Sequence, residues 1–178
     1  MNIFISGGCK NGKSYFAQHL AKQQAAAGGP LYYIATMQPV DEEDDARIIR
    51  HQEEREGWGF KTIEQSRNIS QIQADFSGSF LFDSVTALLS NEMFPSAEEV
   101  VKDAYLSIAK DVVDFARKTG NTVFVSDYIY SDAMKYDELT ECYRRGLAYI
   151  DKALAKECQV VIDVSYGHIN YLKGELPR

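Results

Sequence analysis

The chain has 178 residues, a net charge of −7 and a sequence pI near 5.0. This length fits one domain with its own core, and the acidic balance excludes a general nucleic-acid binder, which carries a basic surface. No apolar run approaches the ~20 residues of a membrane span, and no signal-peptide pattern follows Met1. We therefore expect a single domain over residues 1–178 in the cytoplasm, with neither nucleic acid nor membrane as partner.

Strand-like and helical segments alternate along the chain. The strand-like runs are short and nearly continuous in apolar residues, as in strands buried on both faces of a parallel sheet; they span 2–6, 31–36, 79–83, 122–127 and 159–165. The predicted helices span 13–27, 41–56, 97–118 and 136–156. Ser96 and Glu99 form a capping-box pattern at the start of the third helix. The polar stretch 57–78 is predicted to be a loop with one short strand.

The loop after the first strand carries a phosphate-binding pattern, because residues 7–14 fit Gly-x4-Gly-Lys-Ser between a strand and a helix. Its glycines let successive N–H groups point at an anion, and the helix start adds positive charge. Lys13 is expected to reach the β- and γ-phosphates of GTP or ATP, and the Ser14 hydroxyl to ligate Mg²⁺. The predicted phosphate site consists of Gly7, Gly8, Cys9, Lys10, Asn11, Gly12, Lys13 and Ser14. With the alternating elements, it predicts an α/β fold of the P-loop NTPase type: a doubly wound, mostly parallel sheet flanked by helices.

Phosphoryl transfer at such a loop requires a carboxylate at the end of another core strand, to hold the metal through water. Asp83 ends the predicted strand 79–83, and Asp127 ends the strand 122–127. We expect Asp83 to have this role, with Asp127 as the alternative. Either residue could instead be a helix cap or an ordinary loop carboxylate.

A second cluster lies on the predicted helix 41–56. Arg47, His51 and Arg55 are spaced at four residues and therefore share one face. Two arginines suit a phosphate, and an imidazole with an unperturbed pKa of ~6.5 is largely neutral at pH 7 and can attack phosphorus. The residue types alone leave open that this is a solvated helix face.

The order of these motifs resembles that of the bifunctional cobinamide kinase / cobinamide-phosphate guanylyltransferase family of adenosylcobalamin biosynthesis, over nearly the whole chain. The matching residues are the P-loop, Tyr33-Ile34-Ala35-Thr36, Arg47-Ile48-Ile49-Arg50-His51, Arg55, Trp58, Thr62, Glu64, Asp83-Ser84-Val85-Thr86 and Asn91. The resemblance implies that His51 accepts GMP from GTP and acts in catalysis with Lys13 and Asp83. It further implies that Arg47, Arg55 and Glu64 contact the nucleotide, that the acceptor is a cobinamide, and that the protein is a trimer.

The C-terminal half departs from the family pattern. A Glu, a Gly, an Asp, a further Gly, an Asn and a Gln of that pattern are replaced here by Tyr128, Tyr130, Arg145, Ala148, Asp151 and Lys152. Two alternatives to the family activity therefore stay open. One is a P-loop kinase or nucleotidyltransferase acting on another small molecule, and the other is a nucleotide-binding regulatory protein without catalysis.

Overall fold

The computed structural model describes residues 1–25, 29–39, 48–49, 52–53 and 55–177. Seven strands are found in this part of the chain: Ile3–Gly7 (β1), Leu31–Ala35 (β2), Phe60–Glu64 (β3), Ser79–Asp83 (β4), Thr122–Asp127 (β5), Val160–Ser165 (β6) and His168–Lys173 (β7). They form one sheet in the order β3-β2-β4-β5-β1-β6-β7. Every neighbouring pair is parallel except β6 and β7, which are antiparallel.

Helices cover both faces of this sheet. They are Lys13–Ala25 (α1), Val85–Met93 (α2), Ala104–Thr119 (α3) and Glu138–Glu157 (α4). Successive residues of a strand point to opposite faces, so Ile5 packs with Leu20 of α1, whereas Phe4 packs on the other face with Leu88 of α2 and Leu147 of α4. The predicted doubly wound, mostly parallel α/β fold is confirmed. No helix within the described ranges is both long and apolar enough to cross a membrane.

The predicted start of the third helix is wrong. The helix α3 begins at Ala104, and Ser96 forms an isolated bridge with Glu99 rather than a helix cap. The Val101 amide donates to the carbonyl of Met93 at 2.9 Å, which draws this segment back onto the end of α2. A Ser-x-x-Glu pattern marks a helix start only where the following amides lack other partners.

The sequence prediction missed the helix α2 and the strand β7. The helix α2 is only nine residues long and follows directly after a strand, with the Ser84 hydroxyl accepting from the amide of Ala87 at 3.2 Å as its cap. The strand β7 is exposed along its whole length and lacks the apolar run of a buried strand. Most of the predicted helix 41–56 lies outside the described residues; residues 48–49 and 52–53 are helical.

Candidate active site

The segment between β1 and α1 forms a tight turn whose geometry depends on glycine. Gly12 has a φ of +86°, which glycine adopts without steric strain. A Cβ at Gly7 would collide with the Asn11 side-chain amide and the Val164 carbonyl. The same amide donates to the Val164 carbonyl, and Asn11 Oδ1 accepts from the amide of Lys13 at 3.2 Å. Asn11 therefore ties the turn to β6 and to the start of α1.

Lys13 is buried at the first position of α1. Its Nζ donates to the Gly8 carbonyl at 3.0 Å and forms an ion pair with Asp127. A buried ammonium needs such partners, because an unpaired charge in the interior is strongly destabilising. Phosphate oxygens would offer this ammonium further charged acceptors at the same place. Asp127, the alternative metal carboxylate of the sequence analysis, is thus the partner of the P-loop lysine.

Asp83 lies at the carboxyl end of the parallel strands, on the same side of the molecule as the turn. It ends β4, which is separated from β1 only by β5, and the carboxyl ends of parallel strands meet where open α/β sheets bind ligands. Gly7 pairs in register with Asp127, and Asp83 with Val125. The Tyr33 hydroxyl donates to Asp83 Oδ2 at 2.9 Å. The metal role of Ser14 and Asp83 stays a prediction.

A cavity of about 460 Å³ opens beside Asp83, at the ends of β2, β3 and β4, and this volume is typical of small-molecule sites. Arg55, Glu64 and Asp83, three residues singled out separately in the sequence, all line it. Arg55 is only 7% exposed, and its guanidinium carbon lies 3.5 Å from the centroid of the Tyr33 ring. Its Nη1 has no hydrogen-bond partner among the residues that the structure describes. The cavity lining therefore includes a buried donor whose hydrogen-bonding capacity is not used by the described residues.

His51 and Arg47 lie outside the described residues, so the GMP-acceptor role of His51 and the nucleotide contact of Arg47 stay predictions. Ile48 and Gln52, which lie three residues before and one residue after His51 in the sequence, both line the cavity beside Asp83.

Three further polar residues of the family motifs hold the strand ends in place. Thr36 Oγ1 donates to the Ser84 carbonyl at 2.8 Å and accepts from the Ser84 amide at 2.7 Å. The Asn91 side chain donates to the Thr36 carbonyl at 2.7 Å, and Thr86 Oγ1 accepts from the Asp127 amide at 2.8 Å. These bonds hold in place the backbone that carries the carboxylates of Asp83 and Asp127.

Known proteins are similar to this chain over most of its length. The family model described as cobinamide kinase / cobinamide phosphate guanyltransferase matches residues 3–171. The chain belongs to this family. It is therefore an enzyme of the transferase class. Within the cobinamide kinase / guanyltransferase family, the bifunctional adenosylcobalamin biosynthesis protein CobP of Pseudomonas aeruginosa is 27% identical over 181 residues, covering 98% of this chain and 99% of CobP. The corresponding protein CobU of Escherichia coli is 34% identical over 98 residues, covering 53% of this chain and 51% of CobU.

Two solved structures with the same fold are distant from this chain in sequence. The flagellar accessory protein FlaH of Methanocaldococcus jannaschii superimposes with a TM-score of 0.51 at 15% identity, over 98% of this chain and 78% of FlaH. A second solved structure, an ATPase domain, superimposes with a TM-score of 0.55 at 11% identity, over 97% of this chain and 76% of that domain. At these identities the likeness shows the fold alone, and it agrees with the predicted doubly wound α/β fold.

One buried acid had no site role in the sequence analysis. Asp151 on α4 is 3% exposed, and its Oδ2 accepts from the Tyr130 hydroxyl at 2.8 Å and from the Ser126 hydroxyl at 3.1 Å. Burial raises the pKa of Asp151 to about 7, although both hydrogen bonds act in the opposite direction. The sequence contained a signal for this burial. Asp151 lies four residues after Leu147 and three before Leu154, on the apolar face of its helix.

We expect Asp151→Asn to stabilise the protein at pH 8. The carboxyl has a higher pKa in the folded chain, about 7, than its ordinary value of 3.8. Its contribution is therefore complete below pH 4 and is lost as the pH rises through 7. A difference of ~3 pKa units corresponds to at most about 4 kcal/mol. The melting temperature of the variant should exceed that of the wild type by several degrees at pH 8, and the difference should shrink toward pH 4. Equal melting temperatures at all pH values would contradict the raised pKa.

Proposed function

We propose that this chain phosphorylates the hydroxyl of the cobinamide aminopropanol arm and then transfers GMP from GTP to the resulting phosphate. One observation carries the proposal. The Lys13 ammonium and the cavity lined by Arg55, Glu64 and Asp83 lie together at the carboxyl end of the parallel strands. A single domain over residues 1–178 would perform both steps, within a homotrimer as the family resemblance implies.

The triphosphate of GTP or ATP would lie in the turn of residues 7–14, with Lys13 on its β- and γ-phosphates. Ser14 and Asp83 would hold Mg²⁺. Two protein groups suit this ion, since Mg²⁺ keeps several waters and takes its other ligands from substrate phosphates. The carboxylate of Asp83 fits, because Tyr33 occupies only Oδ2 and Asp83 also lines the cavity. When bound, Mg²⁺ would neutralise part of the phosphate charge.

In the kinase step, the acceptor hydroxyl attacks the γ-phosphorus. The bond between this phosphorus and the β-phosphate oxygen breaks, the nucleoside diphosphate leaves, and the hydroxyl proton passes to solvent. Lys13 offsets the charge that develops on the leaving phosphate.

In the guanylyl step, a neutral nitrogen of His51 attacks the α-phosphorus of GTP. The bond to the β-phosphate oxygen breaks, pyrophosphate leaves, and GMP stays on the imidazole as a phosphoramidate. An oxygen of cobinamide phosphate then attacks the same phosphorus, the P–N bond breaks, and the imidazole is restored. Arg47 and Arg55, four residues to either side, would attract the phosphates and lower the imidazole pKa, which favours the neutral nucleophile.

Turnover of cobinamide tests the proposed function. The protein is incubated with cobinamide, Mg²⁺ and ATP or GTP, and the products are identified by mass spectrometry. We expect cobinamide phosphate first and its GMP adduct later. Phosphorylation of other small alcohols but not of cobinamide would favour a kinase with a different acceptor, and nucleotide binding without any turnover would favour a regulatory protein.

Asp83→Asn is expected to reduce Mg²⁺-dependent turnover by about 10- to 100-fold, the usual cost of weakening a group that holds a hydrated metal. The amide oxygen can still accept a hydrogen bond from the Tyr33 hydroxyl, so the fold should be unchanged. Turnover is measured against Mg²⁺ concentration, with Asp114→Asn, an exposed carboxylate of α3, as the matched control. An unchanged Mg²⁺ dependence would move the metal role to Asp127 or elsewhere.

A further inference from the structure

A second cavity, of about 420 Å³, lies on the opposite face of the sheet from α1, between β1, β6 and α4. Its walls include Phe4 of β1 and Val161 of β6, which belong to the core on the α4 face. The cavity beside Asp83 shares none of its lining residues. The volume lies in the range of small-molecule sites.

Two carboxylates line this second cavity, and each has one oxygen without a described donor. Asp151 uses Oδ2 for its bonds from Tyr130 and Ser126, and Asp163 uses Oδ2 for a bond from the Ser165 hydroxyl at 2.9 Å. The Oδ1 atoms of Asp151 and Asp163 are buried and have no hydrogen-bond partner in the described part of the chain. A buried carboxylate oxygen left unpaired is destabilising, so a ligand that brings a hydrogen-bond donor to either oxygen would be stabilised there.

The chain departs from the family pattern at this cavity. Tyr128, Tyr130, Asp151 and Lys152 replace a Glu, a Gly, an Asn and a Gln of that pattern, and all four line the cavity. The replacements add two aromatic rings, place a carboxylate at position 151 instead of position 128, and add the ammonium of Lys152. The departures noted in the sequence are therefore partly gathered around one site.

We propose that this second cavity binds a small organic cation, a primary ammonium on an apolar body. The ammonium would donate to Oδ1 of Asp151 and Oδ1 of Asp163, while the hydrocarbon part would pack against Phe4, Val161 and Leu172. An anion is disfavoured, because two lining carboxylates repel it and only one lining ammonium, that of Lys152, attracts it. The tyrosine rings suit a cation as well, since their faces attract positive charge. A metal ion is a poorer fit, because the described residues contain no group of three metal-ligating side chains.

Binding of the cation is expected to depend on pH, because Asp151 must be ionised. The charged or titratable groups near it are Asp127 of β5, Asp163 of β6, Tyr130 of the loop after β5, and Tyr143 and Lys152 of α4. Burial raises the pKa of Asp151 to about 7, so the ionised fraction rises about tenfold between pH 6 and pH 8. An alkyl ammonium stays charged throughout this range. Its affinity should therefore increase by about tenfold over the same interval.

Three probes with one carbon skeleton test the proposal: phenethylamine as the cation, 2-phenylethanol as the neutral analogue and phenylacetate as the anion. Each is titrated into the ¹⁵N-labelled full chain, and dissociation constants are obtained from NMR shifts at pH 6 and pH 8. We expect only the amine to bind well, in the millimolar range, with shifts at Phe4 and Tyr130. Mg-GTP should not displace the amine, because the phosphate turn is a separate site.

The variants Asp151→Asn and Asp163→Asn are each expected to weaken amine binding at least about tenfold, as the loss of a charged hydrogen bond requires. Asp114→Asn on α3 is the matched control and should bind as the wild type does. Asp163→Asn tests the site independently of the stability change expected for Asp151→Asn. Three results would each overturn the proposal: equal binding of the alcohol and the amine, wild-type affinity in both site variants, or no amine binding at pH 8. The last result would mean that water alone supplies the donors. None of these outcomes bears on cobinamide turnover.

Discussion

Lys13→Ala is expected to lower the affinity for Mg-GTP by at least about 30-fold, since removing one member of a buried charged hydrogen-bonded pair costs ~2–5 kcal/mol. Lys13 Nζ lies inside the turn and contacts the Gly8 carbonyl and the Asp127 carboxylate. The neighbouring backbone amides are fixed donors and cannot replace the charge of a flexible ammonium. The measurement is Mg-GTP affinity by calorimetry.

The same substitution leaves Asp127 without its ion-pair partner, so some loss of stability is expected too. The double variant Lys13→Ala/Asp127→Asn separates the two effects, because it should recover stability without recovering nucleotide affinity. Lys110→Ala, which removes an exposed lysine of α3, is the matched control for loss of one positive charge. Wild-type affinity in the folded Lys13→Ala protein would show that the turn is not the phosphate site.

His51→Ala is expected to separate the two proposed activities. Transfer of GMP to cobinamide phosphate should fall by about 1,000-fold or more, because the nucleophile of a covalent mechanism is lost. Phosphorylation of cobinamide should stay within a few-fold of the wild type, since that step needs the Lys13 turn and not the imidazole. Both rates are followed in the same reaction by mass spectrometry of the products.

The control for His51→Ala is His168→Ala, which removes an exposed histidine of β7. It should leave both rates unchanged. Persistent GMP transfer in His51→Ala would show that another residue is the acceptor. Loss of both activities together with nucleotide affinity would assign His51 to nucleotide binding rather than to covalent transfer.

The buried strands were predictable, because a strand covered on both faces is apolar throughout. Ser79–Asp83 and Thr122–Asp127 have the predicted bounds, and the phosphate turn lies between a strand and a helix as expected. The strand β7 was not predictable by the same rule, since it lies exposed at the sheet edge. The start of α3 was misplaced because the Val101–Met93 hydrogen bond joins two segments whose proximity a local pattern does not encode.

The candidate site likewise has a part that the sequence predicts and a part that it does not. The turn residues and Asp83 follow from local patterns, but the strand order decides which residues meet. Arg55, Glu64 and Asp83 line one cavity because the strands are ordered β3-β2-β4 in the sheet. This order differs from their order in the sequence. The interaction of Arg55 with the ring of Tyr33 also depends on this order. Local patterns contain no record of it.

The intact mass of the wild-type protein after incubation with Mg-GTP tests the central claim most directly. We predict a gain equal to one GMP, stable in alkali and lost in mild acid, as expected for a P–N bond, and located by peptide mapping at His51. An unchanged mass under conditions where GTP binding is demonstrated would contradict guanylyl transfer through this histidine. An adduct that maps to any other residue would contradict it equally.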